Sequence, residues 1–317
     1  MDFFGYLWSH WIFVAFLAPF FWALVNIIDI YFVSGVYEDE WDGVIINALF
    51  QLLPWLLPLF GLVEFIFPGW TVAGIAFSSG AFLMFSYYFY FKTLFVSNDM
   101  VVVQALANLS VPLVPFLAWL LVGEQLSVMH YIGIAIAFAG AMLFSFHGEI
   151  KEKNFGKVFS LMIGAFVFLS LSMVFQTMAF QATGNDFWSC FLLFSIGATV
   201  SGLLISLLDH KSIGSRMKHI YDISRNFFLV FVLAEVLNLL AVVALQRAID
   251  LSPAVSFVAV IGSLAPVFVM VLSLLLVVIF LKTNREKSRQ IYQDQLVAFK
   301  TKIIACCIIA IGIYLIS

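Results

Sequence analysis

The sequence predicts an all-α integral membrane protein of about ten transmembrane helices, arranged as two inverted five-helix repeats. The composition, the spacing of the apolar segments and an internal repeat support this fold class. Apolar residues make up 64% of the 317 residues and charged residues only 10%, whereas a soluble domain carries roughly 25% charged residues. A soluble fold could not cover so much apolar surface, so we expect a lipid bilayer to surround the chain.

Ten apolar segments are long enough to cross the hydrocarbon core, which takes about 20 residues of helix. Polar or turn-forming stretches separate them, including 209–225 and 282–300, which we interpret as loops. The predicted spans, numbered 1 to 10 in chain order, are 11–33, 44–64, 70–91, 99–122, 129–147, 157–180, 187–208, 226–246, 254–281 and 302–317.

An internal repeat divides these spans into two sets. A basic residue, a serine five positions later and a proline in the following span occur twice, within Lys92–Pro112 and within Arg247–Pro266. Residues 1–150 and 151–317 would then each form a five-helix unit. Because five is an odd number, the second unit must be inverted relative to the first. Inverted repeats are typical of secondary transporters, with the substrate site near the midplane.

Short motifs recur at matching places in the two units. Span 1 carries Phe-Trp-Ala-Leu-Val-Asn-Ile-Ile-Asp at 21–29, followed by Ile30. Other marked positions are Pro112, Gly123, Glu124, Gly133 and Gly140 in the first unit, and Pro266 and Gly312 in the second. With these motifs the chain resembles the EamA-like branch of the drug/metabolite transporter superfamily over nearly its whole length. Ile30 departs from that branch, in which Lys commonly follows the Asp, and the second unit has no equivalent of Glu124.

The resemblance implies a cargo such as an amino acid, a nucleotide-linked sugar or a drug, carried across a prokaryotic inner membrane. It also implies that both termini face the cytoplasm. The basic residues point the other way. Fourteen of the 15 Lys and Arg residues follow odd-numbered spans, and only Arg247 follows an even-numbered one. Because cytoplasmic loops are enriched in Lys and Arg, this distribution favours termini outside, and both orientations stay open.

Polar side chains inside the apolar spans are the candidates for substrate binding, because a charge at the bilayer centre costs about 2.5–3.5 kcal/mol on insertion scales. Glu235 lies near the middle of span 8, and Asn238 shares its helix face. Glu235 would either bind substrate or protons, or make a structural hydrogen bond to a neighbouring helix. The remaining candidates for the same site are Asn26, Asp29, Gln104, Asn108 and Gln176.

Several of these polar groups also allow a structural interpretation. Gln104 and Asn108 lie four residues apart on one helix face and could hydrogen-bond substrate or join helices. The small residues of 78–80 predict a close helix approach. The tyrosines within 87–90 predict an interfacial aromatic belt rather than a binding surface. Glu124 is expected to cap or pair locally at the edge of a loop.

Taken together, we expect a secondary transporter that moves a small polar or amphiphilic metabolite by alternating access, with one half rocking against the other. A lipid or lipid-linked sugar flippase is the alternative, which a lateral opening between spans would favour. No HExxH, GxSxG or P-loop motif occurs, so we predict no enzyme, catalytic residue, cofactor or metal. A net charge of −3 predicts no nucleic-acid partner. The expected partners are a small-molecule substrate and the bilayer, and the chain would be a monomer or homodimer.

Overall fold

The computed structural model describes residues 8–97, 100–145, 153–184, 186–209, 213–226, 228–280 and 299–317. Over this part of the chain all regular structure is helical. Nine of the helices described there are long and apolar enough to cross a membrane. The chain is therefore an all-α, multi-pass membrane protein, as its composition predicts.

The observed helices follow the order of the predicted spans, and we keep the same numbers. Most of them extend a few residues beyond the predicted bounds. The first five are Trp11–Gly35, Glu40–Phe50 continued by a 3-10 turn at Leu53–Trp55 and a short helix at Leu56–Leu59, Trp70–Val96, Met100–Ala107 continued by Ser110–Leu121, and Val128–Ser145. The last five are Phe155–Thr183, Phe187–Ser206, Phe228–Leu251, Val255–Gly262 continued by Ala265–Phe280, and Phe299–Ile316.

Spans 4 and 9 are each interrupted once, just before a proline. Pro112 has no N–H to offer the carbonyl of Asn108, which instead accepts a bond from the backbone N–H of Val111 at 3.0 Å. Pro266 likewise withholds a donor from the carbonyl of Gly262. The interruption leaves span 4 as two short helices, so it is the predicted span that is not among the nine long apolar helices of the described chain.

The segment between spans 7 and 8 differs from the prediction. We expected a loop over 209–225, but the chain forms a helix at Ile213–Asn226. Its composition is polar overall, with Arg216 and Ile220 buried and Lys218, Tyr221 and Arg225 exposed. One buried edge and one exposed face are typical of a helix that lies along the surface of a protein. Residues 281–298, which include most of the second predicted loop, lie outside the described part of the chain.

Glycines allow spans 3 and 7 to pack with their backbones in contact. A Cβ on Gly80 would overlap the carbonyl oxygen of Phe194, and a Cβ on Gly197 would overlap that of Phe77. On a neighbouring face, the Ser79 hydroxyl donates to the carbonyl of Ser172 in span 6 at 2.7 Å. The close approach predicted from the small residues of 78–80 is confirmed.

Spans 5 and 10 form a second seam of the same kind. A Cβ on Gly312 would lie 2.6 Å from the backbone nitrogen of Ala137 and 2.7 Å from the carbonyl oxygen of Gly133. Gly140 faces Ile309 at a similar distance. Among the other contacts, span 3 packs along span 6, span 1 packs along span 8, and the kinked spans 4 and 9 touch each other.

A buried ion cluster joins the surface helix to the beginning of span 2. The guanidinium of Arg216 donates to Asp39 at 2.8 Å, to Asp42 at 2.7 Å and to Asp209 at 2.8 Å. Arg216 is 3% exposed and Asp42 is fully buried. Burial alone would lower the pKa of Arg216, but the hydrogen bonds that it donates to the three carboxylates raise it. We call these four residues the Arg216 ion cluster.

A second polar contact between distant parts of the sequence lies at the opposite end of the membrane helices. Glu124, in the loop after span 4, accepts hydrogen bonds from the backbone N–H of Val255 at 2.9 Å and from the hydroxyl of Ser256. It therefore caps the beginning of span 9, where the first N–H groups of a helix lack intrahelical partners. We expected a local cap, and the partner instead comes from the other half of the sequence.

Candidate functional site

A cavity of about 180 Å³ lies between the helices. Seven of the ten spans contribute to its wall, namely spans 1, 2, 3, 4, 6, 8 and 9. Most of the lining is apolar, with aromatic, amide and hydroxyl groups at defined places. The polar or aromatic lining residues are Trp22, Asn26, Asn47, Ser86, Tyr87, Tyr90, Phe91, Asn108, Ser110, Phe166, Glu235, Asn238 and Ser263.

Three polar residues of the lining lie at nearly the same depth in the bundle. Asn47 and Glu235 are each seven residues from the beginning of their helices, and Tyr90 is six residues from the end of its own. All three of these helix ends lie on the same side of the bundle. At 1.5 Å per residue the side chains lie about 10 Å below that side. Since the hydrocarbon core is about 30 Å thick, this level is well inside the membrane.

A network of hydrogen bonds holds Asn238 in one orientation. Its side-chain oxygen accepts from the indole N–H of Trp22 and from the hydroxyl of Tyr87, both at 3.2 Å. Its amide nitrogen donates to the side-chain oxygen of Asn47, whose own amide donates to the carbonyl of Gly43 at 2.9 Å. Asn238 thus joins spans 1, 2, 3 and 8, and it fixes the rings of Trp22 and Tyr87 against the cavity.

Glu235 lies one helical turn before Asn238 on the same face of span 8, as the sequence predicts. It is 5% exposed and lines the cavity. On span 3, the hydroxyl of Tyr90 donates to the side-chain oxygen of Asn26 at 3.1 Å. Glu235 therefore shares the cavity wall with oriented amide and phenol groups.

The structure brings together four of the seven residues predicted for the site, which are Asn26, Asn108, Glu235 and Asn238. Asn108 also donates to the carbonyl of Ala141 and to the hydroxyl of Ser145, each at 3.2 Å, so it both lines the cavity and joins helices. Gln176 is fully buried but does not line the cavity. The side chains of Asp29 and Gln104 lie outside the described part of the structure.

The sequence analysis missed nine of the polar or aromatic lining residues, among them Trp22, Asn47, Tyr87 and Tyr90. The tyrosines were interpreted as an interfacial belt because they lie near the end of the predicted span 3. Span 3 continues to Val96, so the two rings lie deeper than expected. Asn47 gave a usable signal, since it is an amide in an apolar span, just as Asn26 is.

The interruptions of spans 4 and 9 lie in the cavity wall. Asn108 and Ser110 flank the first interruption, and Gly262 and Pro266 flank the second. A Cβ on Gly262 would meet no atom within 4 Å, so this glycine faces open space inside the cavity. Interrupted helices at corresponding positions of two halves are a feature of transporter binding sites.

The lining can hold a ligand by hydrogen bonds, by contact with aromatic rings and by the charge of Glu235. Among the described residues, no group of three or more His, Cys, Asp or Glu side chains could hold a metal ion. Cys190 is buried, and the described cysteines are all free. The arrangement suits reversible binding of a small molecule.

No protein-family model matches the chain, and no curated protein matches it significantly. Among solved structures, a crystal structure of a protein matches with a TM-score of 0.62 at 15% sequence identity. The match covers 95% of this chain and 94% of that one. At this identity the similarity concerns the fold alone, so nearly the whole chain shares its fold with a protein of known structure.

Proposed function

We propose that the chain is a secondary transporter that carries a small molecule across the membrane through this cavity by alternating access. The observation that carries the proposal is the buried carboxylate of Glu235 within an oriented polar lining, deep in a bundle of membrane helices. An intramembrane charge is costly and usually belongs to a substrate or ion pathway. A purely structural bundle gains nothing from enclosing a polar cavity of this kind.

An inverted repeat accounts for several contacts of the bundle. In an inverted repeat, spans 1–5 correspond in order to spans 6–10. The pair of spans 3 and 6 then corresponds to the pair of spans 8 and 1. Both pairs pack along their length. The contact between spans 4 and 6 likewise corresponds to that between spans 9 and 1, and both are present. Spans 4 and 9, the two helices interrupted before a proline, also correspond to each other. These matches support residues 1–150 and 151–317 as inverted units.

The resemblance to the EamA-like drug/metabolite transporters points in the same direction. It rests on short motifs, two of which have a physical role in this fold. Pro112 and Pro266 interrupt the helices that line the cavity, while Gly133, Gly140 and Gly312 form the seam between spans 5 and 10. We propose membership of that superfamily on these residues.

Transport can be tested with purified protein in liposomes. Uptake of a panel of labelled small solutes would be measured with and without a proton gradient, for the wild type, Glu235→Gln and the matched control Glu64→Gln. Glu64 is exposed in the loop between spans 2 and 3, so the control makes the same substitution away from the cavity. We expect uptake by the wild type and the control and a loss of at least tenfold in Glu235→Gln.

The alternative functions predict other results in the same liposomes. Scrambling of labelled lipid without uptake of any solute would replace the transporter by a flippase. Equal uptake by all three proteins would leave transport intact and reduce Glu235 to a structural hydrogen bond. Neither uptake nor scrambling would contradict both proposals.

A further inference from the structure

The cavity wall carries charge of one sign only. Glu235 is the single acidic lining residue, and no Lys, Arg or His lines the described cavity. The remaining polar groups are neutral amides and hydroxyls. In these low-dielectric surroundings an ionised Glu235 acts on a charged ligand much more strongly than it would in water.

Three basic residues of neighbouring helices pair with carboxylates other than Glu235. Lys92 on span 3 donates to the hydroxyl of Tyr88 at 2.7 Å and lies 3.6 Å from Glu40. Arg216 is surrounded by the three carboxylates of its ion cluster. Arg247 pairs with Asp250 near the other end of span 8. Each of these three cations is thus matched by at least one carboxylate.

The aromatic rings in the wall are placed to contact a cation. Trp22 and Tyr87 are held by Asn238, and Tyr90 is held by Asn26. The faces of such rings attract organic ammonium groups, and the attraction is about 2 kcal/mol or more when the cation is desolvated. The apolar remainder of the wall suits a hydrocarbon or aromatic substituent on the same ligand.

We propose that the cavity selects organic cations, specifically free amines or quaternary ammonium compounds with an apolar group, and rejects anions. The proposal rests on the proposed transport function, since it names the substrate class of the same site. It distinguishes among the classes of cargo that the sequence analysis left open. A nucleotide-linked sugar or a lipid-linked sugar phosphate would bring negative charge beside Glu235 with no basic lining residue to neutralise it, and burying an unpaired charge is costly.

The experiment is a binding measurement on purified protein, which does not depend on transport. Benzyltrimethylammonium, benzyl alcohol and phenylmethanesulfonate share one ring and differ in charge. Their dissociation constants would be measured by isothermal titration calorimetry on wild-type protein in nanodiscs. We expect the cation to bind at least tenfold more tightly than the neutral and anionic probes. An anion that binds as well as the cation, or a cation that does not bind, overturns the proposal.

Two variants then assign the selectivity to the cavity. Glu235→Gln is expected to weaken cation binding at least tenfold, while Glu64→Gln leaves it unchanged. If Glu235→Gln fails to fold, the comparison of the three probes on the wild type still decides the charge preference. Unchanged cation binding in a folded Glu235→Gln protein contradicts the proposal.

The possible outcomes distinguish a failure of this proposal from a failure of the proposed transport function. Selective cation binding without uptake of any cation would support the inference and contradict transport. Uptake of an anion that is insensitive to Glu235→Gln would support transport and contradict the inference. Scrambling of phosphatidylcholine, with no binding of the free ammonium probe, would show that the ammonium group recognised belongs to a lipid, which would overturn the choice of a free solute.

Discussion

The carboxylate of Glu124 accepts a hydrogen bond from the backbone N–H of Val255 at 2.9 Å, across 131 positions of the sequence. The contact joins the loop after span 4 to the first turn of span 9, so a residue of one half completes a helix of the other. The hydroxyl of Ser256 donates to the second carboxylate oxygen. The two interrupted spans that line the cavity are thereby connected at one end of the molecule.

Removing the Glu124 side chain should destabilise the protein. Glu124→Ala leaves the N–H of Val255 and the hydroxyl of Ser256 without this acceptor, and losing a cap costs about 0.5–2 kcal/mol. We expect a lower Tm for Glu124→Ala and a nearly unchanged Tm for Glu124→Gln, whose amide can still accept from Val255. The measurement is thermal unfolding in detergent, and equal Tm values for the wild type and Glu124→Ala would contradict the capping role.

The same carboxyl should give stability a specific pH dependence. Burial raises the pKa of Glu124 above its ordinary value of 4.5, although hydrogen bonds from Ser256 and Val255 lower it in part. The folded state therefore holds this proton more tightly than the unfolded chain does. The resulting stabilisation is present below the unfolded pKa and is lost as the pH rises through the folded pKa.

Glu124→Gln supplies the reference for this effect, because it cannot titrate. We expect the Tm of the wild type, relative to that of Glu124→Gln, to fall as the pH rises from about 4.5 to above the folded pKa. Thermal unfolding of both proteins over that range measures the difference. A constant difference would show that Glu124 titrates alike in both states.

Arg216 should be needed for folding because three carboxylates depend on it. Arg216→Gln leaves Asp39, Asp42 and Asp209 without their common cation, and breaking a buried ion pair on one side costs about 3–5 kcal/mol. Asp39 is 25% exposed, so solvent reduces the loss, and we expect a value near the lower limit. The double variant Arg216→Gln/Asp42→Asn should recover part of it. Additive losses in the double-mutant cycle would contradict the coupling.

Gly262 offers a way to fill the cavity without disturbing the packing. Its missing side chain would point into open space in the cavity wall. Gly262→Leu should therefore reduce ligand binding and uptake by at least tenfold while the protein still folds. Gly74→Leu is the matched control, because Gly74 also has no neighbour within 4 Å of an added Cβ but does not line the cavity. Full uptake by Gly262→Leu would show that the cargo takes another route.

Gly80 should tolerate no side chain at all. An added Cβ would overlap the carbonyl oxygen of Phe194, which belongs to a helix backbone and cannot move independently. Overpacking typically costs about 1–3 kcal/mol and sometimes more, so Gly80→Ala should lower the Tm by several degrees. Gly74→Ala should not lower it. Equal Tm values for the two variants would contradict the close backbone contact.

The fold class and the order of the helices could be predicted because lipid imposes length and apolarity on each span. The same rule identified Glu235, Asn238, Asn26 and Asn108, since a polar group in an apolar span stands out. The surface helix at Ile213–Asn226 was missed because its polar composition is also that of a loop. Its burial depends on Arg216 meeting Asp39 and Asp42, which lie 177 and 174 positions away in the sequence.

Whether other residues line the site depends on how deep their side chains lie in the bundle and where they point. The spacing of residues along the sequence does not determine either. Tyr87 and Tyr90 look interfacial in the sequence and line the cavity because span 3 is longer than its apolar core. Gln176 lies on an inward face and is fully buried, yet it stops short of the cavity wall. A helical period assigns a side chain to a face but does not say whether that face meets a neighbour or an open space.

The glycine contacts determine which parts of the molecule can move as units. Gly80 and Gly197 lock a helix of residues 1–150 to a helix of residues 151–317, and Gly133 and Gly312 do so a second time. If residues 1–150 rocked as a rigid body against residues 151–317, backbones already in contact would have to slide past each other along both seams. A motion that opened the cavity would instead carry each seam as a whole, so its moving units would cut across the two proposed repeats.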